Sequence, residues 1–84
     1  MNLIARYGIG PHYGTDELVN EVRCVYQHGG ATVWVDLPWQ RHRAEVFAFV
    51  GDGPLWCLGV FRAPSRADAE RRAQGLVEQW INTQ

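Results

Sequence analysis

Ala31-Thr32-Val33-Trp34-Val35-Asp36-Leu37, followed beyond residues 38–43 by Ala44-Glu45-Val46-Phe47-Ala48-Phe49-Val50, decides how this chain is read. In both stretches apolar side chains hold every second position: Ala31, Val33, Val35 and Leu37 in one, Ala44, Val46, Ala48 and Val50 in the other. A period of two sends these residues to one face of a pleated strand and Thr32, Trp34, Asp36, Glu45, Phe47 and Phe49 to the opposite face. Gly51-Asp52-Gly53-Pro54 then turns the chain, and Leu55 to Arg62 reads as a third strand. Short connections between successive strands imply an antiparallel meander.

Toward the C-terminus, Ser65 stands as a helix N-cap with Asp68 three residues on, and Ala69, Ala73, Leu76, Val77, Trp80 and Ile81 mark one apolar face. The spacing predicts a helix over 66–82, with Arg66, Glu70, Arg71, Gln74 and Glu78 in solvent. Toward the N-terminus, Thr15 is a cap candidate and Asp16 and Glu17 suit the positive end of a helix dipole, while Leu18, Val22, Val25 and Tyr26 share a helical face. A helix over 16–28 ending at Gly29-Gly30 is expected, although Val19, Val22 and Val25 are β-branched and the stretch also reads as alternation. Gly8, Gly10, Pro11 and Gly14 leave residues 1–14 as an extension holding at most a short strand over Leu3 to Tyr7. The expected architecture is α+β, a three-stranded antiparallel sheet with two helices packed on one face in the order α-β-β-β-α, residues 15–84 forming a single domain.

The 84 residues make one core, and 46% hydrophobic with 20% charged residues is a globular composition. No apolar run approaches the roughly 20 residues of a membrane span, and the start lacks a basic flank before a long apolar stretch, so a cytoplasmic location is expected. Cys24 and Cys57 read as reduced, packed thiols. The net charge is −1 and every basic residue is Arg, which excludes a uniformly basic coat. Residues 37–63 form the one segment with a positive excess, carrying Arg41, Arg43 and Arg62 against Glu45 and Asp52.

Gly8-Ile9-Gly10-Pro11 is not a phosphate loop, because Pro11 removes a backbone donor and no Lys follows. His12, His28 and His42 lack the spacing of metal ligands. Cys24 and His28, four apart on the expected first helix, could pair a thiol with a base, but Cys24 lies beside the apolar stripe. The carboxylates are scattered. No catalytic set, metal or cofactor is expected, and the chain reads as a non-enzyme. The aromatics Trp34, Phe47 and Phe49 crowd the sheet face turned away from the helices. Either residues 1–14, with Tyr7 and Tyr13, fold over them, or this face is a contact surface. Pro38-Trp39-Gln40-Arg41-His42-Arg43 forms the expected loop between the first two strands. Its Trp39, Arg41, His42 and Arg43 offer charge-assisted donors and a stacking plane suited to phosphate, a nucleobase or an acidic protein surface.

The order of elements, with Leu18 and Glu21 in the first helix, Pro38 and His42 in the first strand loop, and Ser65, Arg66 and Ala69 opening the last helix, resembles the double-stranded-RNA-binding domain. That resemblance implies duplex RNA binding, but Ala67 and Glu70 stand where the family places phosphate-binding lysines. Pro38-Trp39, Ala44-Glu45-Val46 and Trp56-Cys57-Leu58-Gly59-Val60-Phe61 are similar to the AP2 and integrase-arm type of DNA-binding domain, which implies DNA reading by Arg and Trp on the open sheet face, here Trp34, Arg43 and Arg41. The function expected first is recognition or inhibition of a protein or ribonucleoprotein partner, of the kind carried by phages and other mobile elements, an anti-CRISPR for instance. The alternative is nucleic-acid binding through the 38–43 loop and a sheet or helix face. A homodimer joined through the aromatic face is compatible with either.

Overall fold

The structure is a computed structural model that describes residues 1–9 and 20–83. Among the described residues five strands, β1 (Asn2–Ile9), β2 (Asn20–His28), β3 (Ala31–Gln40), β4 (Arg43–Val50) and β5 (Trp56–Arg62), form one antiparallel sheet in sequence order, followed by one helix, α1 (Arg66–Ile81). The expected three-stranded sheet with two helices is therefore corrected: the strands over 31–62 and the C-terminal helix form, and the first helix does not.

Residues 20–28 of the expected 16–28 helix are strand β2; residues 16–19 lie outside the described residues. The physical reason is pairing. A short isolated helix is marginal in water, whereas β2 is bonded along its whole length to β3, from Asn20↔Trp39 to His28↔Ala31, and to β1 on its other side. Alternation then sends Val22, Cys24 and Tyr26 into the core, and Val25, opposite Trp34, is buried on the other face. Glu21, placed in a first helix by the likeness to the RNA-binding domain, is thus a strand residue, and Leu18 lies outside the described residues.

The N-terminal segment does not lie across the sheet over 2–9. It extends the sheet in its own plane as β1, with a bulge between Leu3 and Ala5. Residues 10–14, Tyr13 among them, lie outside the described residues.

Helix α1 begins where its cap requires. Ser65 Oγ accepts from the Asp68 N–H at 3.2 Å, satisfying one of the orphan donors of the first turn. Ala69, Ala73, Val77 and Ile81, one helical turn apart, are buried against Val33, Val35, Val46 and Ala48. Burying each branched side chain contributes about 1.5–3 kcal/mol, and the alanines let the helix approach the sheet closely. Gly59 marks that approach: a Cβ there would stand 3.1 Å from Leu76 Cδ1. At the far side of the sheet, Arg6 on β1 holds Glu70 of α1 through two hydrogen bonds of 2.7 Å. Among the described residues, no helix lies on the opposite face of the sheet.

Candidate functional site

Strand alternation places Trp34 and Asp36 of β3, Glu45, Phe47 and Phe49 of β4, and Arg23 of β2 on the face turned away from α1. Trp34 and Phe49 are direct cross-strand partners, and their rings stack with centroids 6.0 Å apart and planes 5° from parallel. Arg23 sets Nε and Nη2 on the two carboxylate oxygens of Asp36 at 2.6 and 2.7 Å, while its guanidinium lies 5.7 Å from the Trp34 ring centre. Fork-to-fork pairing of this kind holds both side chains in one geometry, so the flank of the stack is preformed. Beside it, Arg23, Thr32, Trp34, Phe49, Gly51 and Asp52 line a depression of about 430 Å³. All three aromatics are half-buried, with Phe47 opposite Asp36 and Cys57. Burial and the neighbouring Asp36 charge raise the pKa of Glu21, on the rim of this face, and Arg23 offsets only part of that rise.

The expected 38–43 loop is shorter than its sequence suggests. Pro38, Trp39 and Gln40 continue β3, and Arg41-His42 alone make the turn into β4. The cluster read there splits across the sheet. Trp39 faces α1, donating its indole N–H to the Ala63 carbonyl at 3.2 Å, with Arg66 over its ring at 5.7 Å and the His42 ring edge-on at 5.9 Å. It is a core residue at the foot of the helix. Arg41 and Arg43 belong to the other side, where they line a cleft of about 350 Å³ with Pro38, Gln40, Glu45 and Arg62. The register of β4 with β5 puts Arg62 directly opposite Arg43. Arg62 was missed as a site residue in the sequence because it lies nineteen positions beyond Arg43; reading the hairpin register would have found it.

On the other side of Arg62, a second cavity of about 330 Å³ is lined by His42, Arg62, Ala63 and Pro64. The His42 carbonyl accepts from the Ala63 N–H at 2.8 Å, tying the hairpin tip to the approach of α1. Arg72 donates to the Arg62 carbonyl at 3.4 Å and lies 4.4 Å from the Phe61 ring centre. Arg41, Arg43, Arg62, Arg66 and Arg72 thus gather at one end of a chain whose net charge is −1.

The two thiols differ. Cys24 is buried on β2, its pKa raised chiefly by burial, which holds it protonated. It sits on a strand, so the helical pairing with His28 does not exist. Cys57 is exposed on β5, against the packed thiol expected there. Among the described residues no group of three or more His, Cys, Asp or Glu is placed to hold a metal ion, and no helix is long and apolar enough to cross a membrane. No family model, curated protein or solved structure matches the chain.

Proposed function

We propose that this chain is a non-catalytic recognition protein that docks a protein or ribonucleoprotein partner on its open sheet face. The observation that carries the reading is the Trp34–Phe49 stack with Arg23–Asp36 locked beside it, on a face that no helix of the described residues covers. Aromatic and arginine side chains on a rigid platform are the residues that dominate interface energetics, and preformed geometry lowers the entropy lost on binding. The charges of this face are mixed: Arg23 with Asp36, Arg43 with Glu45, and Glu21 at the rim. A mixed face suits a protein surface better than a uniform polyanion. Absence of catalysis is consistent with Asp36, Glu45, Asp68 and Glu70 each being engaged by an arginine, and with Cys24 being held protonated.

Photocrosslinking tests this. A benzophenone-bearing phenylalanine analogue is placed at Phe47, and in a control at Gln74 on the exposed side of α1, and each chain is irradiated in an extract of its host. A discrete heavier adduct from position 47, lost on Trp34→Ala and absent from position 74, supports the reading. Adducts from 74 alone, or none from either, overturn it. An adduct at twice the chain's own mass also overturns it, by making the occupant a second copy.

A further inference from the structure

We propose that the cleft between Arg41, Arg43 and Arg62 is a phosphate site that takes the backbone of a single-stranded nucleic acid. Three features at this corner each work against the stability of the protein alone, and an anion relieves two of them. Arg43 and Arg62, like charges, stand directly opposite across β4 and β5. Arg41 adds a third guanidinium to the same cleft, whose one carboxylate, Glu45, is engaged by Arg43 at 2.8 Å. The side chains of Arg41 and Arg62 have no hydrogen-bond or ion-pair partner among the described residues.

The third feature is the turn. Arg41 and His42 both adopt positive φ, 53° and 65°, the backbone of a tight hairpin that favours Asn and Gly. The chain builds its other two-residue hairpin, between β2 and β3, with Gly29 and Gly30 at 55° and 82°. The fold can therefore make this turn without side chains, yet at the arginine corner it keeps a cation and an imidazole in strained backbone. Strained residues that persist in this way concentrate where side-chain chemistry is used.

Guanidinium forks match phosphate oxygens in pairs, and three converging on one cleft with a single engaged carboxylate leave a net positive site. Two cavities adjoin through Arg62, one bounded by Arg41 and Arg43 and the other by His42 and Pro64. Neighbouring open clefts that share one arginine suit successive phosphates of a polymer rather than a single phosphomonoester. Phe47, two residues beyond Glu45 on the same face of β4, offers a ring on which an unpaired base stacks, which favours a single strand over a duplex. The arginine corner is distinct from the Trp34–Phe49 stack, so this site can fail while the docking reading stands, and the reverse.

The test is fluorescence anisotropy of labelled oligo-dT and oligo-U of about 12 nucleotides, titrated with the full chain from about 20 to 150 mM salt. Binding is expected at low salt with a log–log salt slope near −2, from about 0.7 per phosphate contacted by three guanidiniums. Arg41→Ala with Arg62→Ala is expected to weaken binding tenfold or more, Arg62→Glu to do the same in a chain at least as stable as the parent, and Arg71→Ala on α1 to change nothing. Inorganic phosphate is expected to compete only weakly. No binding at low salt, or unchanged binding by the double variant, overturns the site. Tighter binding of a phosphoserine peptide than of either oligonucleotide overturns its assignment to a nucleic-acid backbone.

Discussion

Arg43 and Arg62 face each other in register across β4 and β5, a like-charge pair at the edge of the sheet with Arg41 in the same cleft. Glu45 takes up one of these charges through its 2.8 Å contact with Arg43. The remainder is a stability cost retained at the rim of a cleft, and Arg62→Glu should remove it. Making the cross-strand pair opposite in sign is expected to raise stability by a few tenths to about 1 kcal/mol, the range for exposed pairs. Urea unfolding followed by tryptophan fluorescence measures it; a fall in the midpoint would show that the two guanidiniums do not repel.

The hairpin tip predicts a larger gain. Arg41→Asn with His42→Gly relieves two side chains held at φ of 53° and 65°. The expected stabilisation is about 1–2 kcal/mol, reduced by the lost contact of His42 with Trp39, and the m-value should not change. Loss of stability instead would mean that the His42–Trp39 contact outweighs the backbone strain.

Gly59 lies where sheet and helix pack tightly. Since a Cβ there already meets Leu76 Cδ1 at 3.1 Å, Gly59→Val must displace the Leu76 side chain or the helix that carries it, at an expected cost of about 1–3 kcal/mol. Leu76→Ala in the same chain should recover part of the loss, and a double-mutant cycle with a coupling energy near zero would place the strain elsewhere.

Glu21 gives the pH dependence a sign. Its carboxyl is raised by burial first and by Asp36 second. A carboxyl whose pKa is higher folded than unfolded opposes folding above the unfolded value, and this penalty disappears once acid protonates it in both states. Glu21→Gln is therefore expected to raise the thermal midpoint at pH 7 and to leave it unchanged near pH 3.5. An equal gain at both pH values would mean that the effect is not ionisation.

Much of this fold is local. The alternation in Ala31 to Leu37 and Ala44 to Val50 needs no tertiary information, because a residue's face is set by parity alone. Ser65 with Asp68, and the four-residue spacing of Ala69, Ala73, Val77 and Ile81, likewise mark α1 from within its own segment. Asn20 to His28 is different. Val22, Val25 and Tyr26 satisfy a helical stripe and Val22, Cys24 and Tyr26 a strand face equally well, and no residue inside the segment separates the two. The ladder with β3 on one side and β1 on the other decides it. Asn2 to Ile9 shows the same dependence, for a strand that includes Gly8 and a bulge between Leu3 and Ala5 is held as the partner of β2.

The candidate site divides along the same line. By itself the sequence determined which residue types were present: a run of Arg41, His42 and Arg43, and large aromatics at Trp34, Phe47 and Phe49 on one parity. Only the tertiary structure decided that Trp39 turns to the helix, that Trp34 stacks on Phe49, and that Arg62 from a later strand completes the cleft. Parity and capping act over a few bonds and are written in neighbouring residues. Register and pairing are settled by hydrogen bonds between segments distant in the chain, and no local pattern contains them.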